Sequence, residues 1–423
     1  MKYFYTKRKE GIFMLDLHKL FVCHQLLDDK IIEDFNKLIC GASTDKGKLV
    51  AEFIEQAEKL GLSGNIIKVY ILYMLAHKNN CVSYAVESSG GQIGTSLYKA
   101  FCHDIEIISK LLVIKPSLVL DCELLDDYEP TVKNTSLSFI SLAKNLVQAK
   151  NVEEKANVFI DYYRTYGSGD MADYRAFRWD SDEDELVGIK YFEAMRLDEL
   201  IGYEYQKQQL KDNTLAFVEG KPANNVLLVG ARGTGKSSGV KAVVNSFFDK
   251  GLRLVQITKE QLTALPIIME RLRTYSSKKF IIFLDDLSFE EFEVEYKYLK
   301  SAIEGGASAK PENVLIYATS NRRHLIKESY RNRGVDDDDM HRNDTLNETI
   351  SLSDRFGLII HYLSPNQEEY LAIVDGLLRQ HGISMDKEEL RVKAGAWAQE
   401  HSGRSGRIAQ QFVTYYLGQV YNK

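Results

Sequence analysis

One octapeptide constrains this chain more than anything else in it: Gly230-Ala231-Arg232-Gly233-Thr234-Gly235-Lys236-Ser237. It fits G-x-x-x-x-G-K-[ST], and it stands between the apolar run Val226–Val229 and a stretch with helical patterning, the setting such a loop requires. Glycines let the backbone turn tightly, and successive N–H groups ahead of a helix N-terminus cradle anionic oxygens. Lys236 then brings a positive charge to the β- and γ-phosphates of a nucleotide, and the Ser237 hydroxyl is expected to reach Mg²⁺. The expected phosphate-binding segment thus runs through Gly230, Ala231, Arg232, Gly233, Thr234, Gly235, Lys236 and Ser237 to Ser238.

Such a loop belongs on a parallel sheet. Apolar runs predict five strands, at Val226–Val229, Leu254–Thr258, Phe280–Leu284, Val314–Ala318 and Leu358–Tyr362, alternating with helices in an α/β fold. The first, third and fourth are almost unbroken apolar runs, as strands buried on both faces should be. The third ends in Asp285-Asp286. Ligands of parallel sheets bind outside the carboxyl ends of the strands. Asp285 is therefore expected to hold Mg²⁺, directly or through water, and Asp286 resembles the position where many P-loop ATPases carry a glutamate that orients the attacking water. An aspartate is one methylene shorter than glutamate in that second role, and Glu290 and Glu291 stand nearby as alternatives.

Elsewhere the chain carries less chemistry. Residues 1 to about 165 have apolar residues at helical spacing, as in Val50-Phe53-Ile54-Ala57-Leu60. Gly90-Gly91-Gln92-Ile93-Gly94-Thr95 is rich in glycine but lacks the lysine and the preceding strand, so it reads as an ordinary loop. Tyr166–Asp170 is a turn-rich break, and Asp180–Glu185 is acidic apart from Ser181, so this stretch reads as an exposed connection. From Ser364 the pattern is helical again, with Ser364 as N-cap and Pro365 in the first turn, a second helix after Asp386 and a third near Ser405. The segment Arg331–Glu348, with Asp336 to Asp339 and His341, reads as a solvated loop that contacts a substrate or a neighbouring subunit.

Bulk properties narrow the class. A chain of 423 residues implies two or three domains. Its net charge of −6 lacks the basic footprint of a protein that coats nucleic acid. Five cysteines, all in the first third and without a C-x-x-C pair, fit reduced thiols better than disulfides or zinc. No signal-peptide pattern is present and no apolar run approaches the roughly 18 residues of a membrane span, so a cytoplasmic location is expected.

Taken in order, these motifs resemble the AAA+ ATPases, over about residues 197–423. Val314–Ala318 running into Thr319-Ser320-Asn321 is similar to their sensor 1, which implies that Asn321 reads the γ-phosphate or its water. Ser353-Asp354-Arg355-Phe356-Gly357 resembles the segment whose arginine reaches a neighbouring subunit's ATP, so Arg355 takes the part of the finger. Gly403-Arg404-Ser405-Gly406-Arg407-Ile408 resembles sensor 2, with Arg407 before Arg404 as its arginine. Leu197–Glu204 is similar to the segment that packs on adenine, which would set Ile201 and Gly202 against the base. The Asp-Asp pair resembles replication initiators and helicase loaders, and its surroundings most closely resemble the bacterial DUF815 family of predicted ATPases.

The residue patterns imply a helical N-terminal domain at 1–165 and a linker at 166–196, and the resemblance implies an AAA+ core with a five-stranded parallel sheet at 197–363 and a helical lid at 364–423. It implies ATP and Mg²⁺ as ligands, a homo-oligomer with the finger supplied in trans, and an unknown protein or nucleic-acid client. Three activities fit: an ATP-hydrolysing remodeller, a slow ATP-dependent switch limited by the short Asp286, and a P-loop kinase. Asn321, Arg355 and Arg407 together argue against the kinase.

Overall fold

The computed structural model describes residues 15–134, 136–289, 295–304, 310–321, 325, 352–401 and 403–420. Glu290, Glu291 and the Arg331–Glu348 loop lie outside the described residues. The chain divides into two compact units: residues 1–174 with Thr274–Lys278, and residues 175–273 with 279–423.

The first unit is helical. Asp29, Asp45, Asn65 and Asn151 stand just ahead of the helices Lys30–Ile39, Lys46–Leu60, Ile66–His77 and Val152–Thr165, and each side chain accepts backbone N–H groups of the first turn. Ile66–His77 is apolar nearly all round and accordingly buried, with Ile66, Ile67, Ile71, Leu72 and Leu75 in the core. Lys278 completes this unit. Its buried Nζ donates to the carbonyls of Tyr163 and Arg164, both at 2.7 Å, at the C-terminal end of Val152–Thr165.

The second unit holds one seven-stranded sheet in the order β2-β1-β4-β5-β6-β3-β7. The strands are β1 Ala176–Asp180, β2 Glu185–Gly188, β3 Val226–Gly230, β4 Leu252–Ile257, β5 Lys279–Leu284, β6 Val314–Ser320 and β7 Leu358–Tyr362. Each neighbouring pair runs parallel except β1 and β2. The five expected strands are present, but the sheet is larger than the expected five because β1 and β2 extend it. Both lie within 166–196, the stretch expected as a linker. The acidic run Asp180–Glu185 is the turn of their hairpin, with Asp180 opposite Glu185 in register. Phe177 and Trp179 of β1 are buried, and β1 runs beside β4.

After β7 come three helices, Gln367–Gln380, Lys387–Glu400 and Gly406–Val420, packed around Tyr370, Val374, Leu378, Ala394, Phe412 and Val413. The first does not start at Ser364-Pro365 as expected. Asn366 is its cap: its Oδ1 accepts the Glu369 N–H while Glu369 Oε2 accepts the Asn366 N–H, and this reciprocal pair outcompetes a serine followed by proline. Asp386 caps the second helix, accepting from the N–H groups of Glu388 and Glu389. Among the described residues no helix is long and apolar enough to cross a membrane.

Candidate nucleotide site

Strand order decides which segments meet. β6 lies between β3 and β5, with Val229 beside Ser320 and Leu284 beside Ala318. The carboxyl ends of these three strands therefore bring the glycine-rich loop, Thr319-Ser320-Asn321 and Asp285-Asp286 to one edge. Their buried apolar faces fix the register, since sliding a strand by one residue would turn its side chains to the opposite face.

The loop leaves β3 at Gly230, whose φ is 142°. A Cβ there would stand 1.9 Å from the Tyr362 carbonyl oxygen at the end of β7, so only glycine fits. Ala231 donates its N–H to that same carbonyl at 3.1 Å. Gly233 and Gly235 are also left-handed, with φ of 73° and 90°. Thr234 Oγ1 donates to the Ala231 carbonyl at 2.9 Å and ties the loop across itself. Arg232 is exposed on the loop, and Ser238 is half-buried in the first turn of the helix Lys236–Phe247.

Lys236 fills the loop's interior. Its Nζ donates to the Gly230 and Ala231 carbonyls at 2.9 and 2.7 Å and to Asn321 Oδ1 at 3.0 Å. Burial pushes its ammonium below the usual lysine range, and the carboxylates of Asp286 and Asp285 oppose that shift. Next to it, Ser237 Oγ donates to Asp285 Oδ1 at 2.5 Å. The Thr319 hydroxyl reaches the same oxygen at 2.6 Å. Asp286, exposed at the sheet edge, accepts from Asn321 Nδ2 at 2.5 Å.

Lys236, Asn321 and Asp286 thus form one hydrogen-bonded set and Ser237 with Asp285 another, and the Thr319 hydroxyl joins the two by accepting the Asp286 N–H at 2.9 Å. Of the other expected residues, Arg407 is tied to the loop, whereas Ile201, Gly202 and Arg355 make their described contacts with other segments. Arg407, in the first turn of Gly406–Val420, donates its backbone N–H to the Gly233 carbonyl at 3.0 Å. Its side chain is exposed, and its charge, like that of Arg232, helps push Lys236 down. Arg404 is exposed ahead of that helix. Ile201 and Gly202 lie against Gln367–Gln380: a Cβ on Gly376 would meet Ile201 Cδ1 at 2.8 Å, and one on Gly202 would meet Ile373 Cγ1 at 3.2 Å. Arg355 is half-buried and pairs through Nε with Glu304, at the end of the helix Glu295–Glu304.

Two participants gave no sign in the sequence. Thr319 touches both aspartates, a role visible only once β5 and β6 are paired. Glu304 lies far from Arg355 along the chain, and no local pattern links them.

A glycine-rich loop leading from a strand of a parallel sheet into a helix, with paired acids at the end of a nearby strand, defines a P-loop α/β protein. Within that class the chain belongs to the DUF815 family, described as a protein of unknown function, whose profile matches residues 172–420. The match begins close to the start of the second unit at Arg175. No curated protein matches the chain. Among solved structures, the Holliday junction branch migration motor RuvB of Thermotoga maritima is 18% identical, with a TM-score of 0.35, over 52% of this chain and 63% of that chain. The chain thus spans less than two thirds of RuvB's length. The AAA domain of FIGL-1, solved in complex with ADP, is 19% identical with a TM-score of 0.37, over 54% of this chain and 74% of that one.

Proposed function

We propose that the second unit is an AAA+ ATPase module that binds MgATP and couples its hydrolysis to a change of conformation that remodels a partner. The observation that carries this reading is the pair of hydrogen bonds at one sheet edge, Lys236 to Asn321 and Ser237 to Asp285. Lys236 would leave the carbonyls of Gly230 and Ala231 for the phosphate oxygens, and the loop's N–H groups would receive the rest of the anion. A hydroxyl and a carboxylate oxygen side by side are the hard donors Mg²⁺ prefers, and Mg²⁺ commonly takes few protein ligands and completes its shell with water and phosphate. Ser237 and Asp285 would hold it, and it would neutralise charge on the phosphates when bound. Asp286 would orient the attacking water, with Asn321 beside it. Arg407 would face the nucleotide from the C-terminal helices, acting as a lid, and Ile201 and Gly202 would flank the base.

Arg355 would serve a neighbouring copy's ATP, which makes the working form a homo-oligomer. In the single chain its guanidinium is neutralised by Glu304, a contact it would give up on assembly.

Calorimetry with ATP and Mg²⁺ tests the binding. Wild-type protein should bind, and Lys236→Ala should bind at least about 100-fold more weakly, which corresponds to about 2.7 kcal/mol. Equal binding by the two proteins would end this reading. Arg355→Ala should lower turnover by about 10³-fold if the finger acts on a neighbour's nucleotide. Asp286→Asn, holding ATP without using it, should retain a client that Lys236→Ala does not.

A second reading has its own observation. Asp286 and Asn321, the two groups assigned to the water, already satisfy one another. A slow nucleotide-dependent switch follows if this pair persists with ATP bound. Tight ATP binding by wild-type protein with no steady-state phosphate release would favour it.

A further inference from the structure

Asp286 has a φ of 52°, one of four non-glycine residues with positive φ among those described. The left-handed region is costly for a residue with a Cβ, although aspartate tolerates it better than most. A conformation of this kind persists only when its surroundings hold it.

Here the holder is a single residue of the neighbouring strand. The Asp286 N–H donates to Thr319 Oγ1 at 2.9 Å, and the Leu287 N–H donates to the Thr319 carbonyl at 2.7 Å. The one proton of the Thr319 hydroxyl goes to Asp285 Oδ1 at 2.6 Å. Thr319 therefore grips Asp285, Asp286 and Leu287 in succession. It is only 1% exposed, so water cannot take over its bonds. The turn so held carries the Asp286 carboxylate to Asn321 Nδ2 at 2.5 Å.

We propose that Thr319 is the positioning residue of this site: its hydroxyl holds the Asp285–Asp286 turn left-handed, so that a side chain shorter than glutamate still presents its carboxylate beside Asn321. This rests on the ATPase reading above. The role needs a group that donates and accepts at once. Valine has the shape of threonine and neither capacity; serine has both.

Residue-resolved hydrogen exchange and ATP turnover on the full chain test it together. In Thr319→Val the Asp286 amide should exchange at least about tenfold faster, whereas the Leu287 amide, bound to a backbone carbonyl, should change by less than about threefold. Turnover should fall about 10- to 100-fold with the Kd for ATP held within about threefold, and Thr319→Ser should restore both readings. Unchanged exchange at Asp286 overturns the proposal. So does undiminished turnover in Thr319→Val when Asp286→Asn abolishes it, and in that case the ATPase reading stands. Wild-type protein that binds ATP but releases no phosphate removes the hydrolysis reading and the positioning role with it, whatever the exchange reports. Should Thr319→Val fail to fold, the same two readings on Thr319→Ala decide the matter.

Discussion

The two units use their charged side chains in opposite ways. In the helical unit Asp104 is fully buried, and its carboxylate accepts the backbone N–H groups of Phe21, Val22 and Cys23 at 2.8 to 3.1 Å. Lys278 is equally buried and caps the carbonyl end of a helix. These charges complete the backbone. In the α/β unit Asp285 and Asp286 are exposed at the ends of buried strands, and Lys236 sits on the carbonyls of the glycine-rich loop. The difference separates two kinds of place: a charge enclosed by peptide groups is a structural part, whereas charges gathered at the carboxyl edge of a parallel sheet stand where such sheets bind their ligands.

The strongest attempt to break that contrast is Asp104→Ala. It leaves three backbone N–H groups of one loop without their acceptor, and it should cost about 3 kcal/mol or more of stability in thermal or urea unfolding. The affinity of the other unit for ATP should stay within about twofold. A neutral Asp104→Ala would mean that the carboxylate is not a structural part, and the distinction would lose its anchor.

Lys310 probes the same idea inside the α/β unit. Burial lowers its pKa to about 8, and its Nζ donates to Asn225 Oδ1 at 2.7 Å. Below pH 8 the lysine is charged in both the folded and the unfolded chain, and the folded state bears the desolvation penalty. Between about 8 and the ordinary lysine value the unfolded chain binds more protons, so stability rises with pH. Relative to Lys310→Met, wild-type protein should therefore gain about 1–2 kcal/mol from pH 8 to pH 10, allowing for partial exposure. Parallel stability curves for the two proteins would show that this lysine carries no such penalty.

How much of this was legible without coordinates follows from the range of each interaction. The loop at 230–237 and the five parallel strands are local patterns of apolar residues and glycine, and the strands lie within a few residues of their expected places. β1 and β2 escaped because the acids of their turn look like a solvated connection, while Phe177 and Trp179 become a core face only when β4 lies alongside. The start of the helix at Asn366 turned on a reciprocal pair with Glu369 that serine and proline upstream disguised. Thr319 and Glu304 are tertiary partners, and a sequence without its register gives them no address.

The smallest effect tests the turn itself. In most ordered positions alanine is the more stabilising residue, because glycine has more freedom to lose. At position 286 the order should reverse. With φ at 52°, a Cβ on alanine carries the left-handed penalty without the local hydrogen bonding that makes aspartate tolerant, whereas glycine carries none. Asp286→Gly should therefore be more stable than Asp286→Ala by about 1 kcal/mol in chemical denaturation, with both inactive in turnover. Alanine equal to or better than glycine would mean that the backbone there is ordinary. The site's acid would then owe its aim to its side chain alone, and the exposed edge would be no more constrained than any loop.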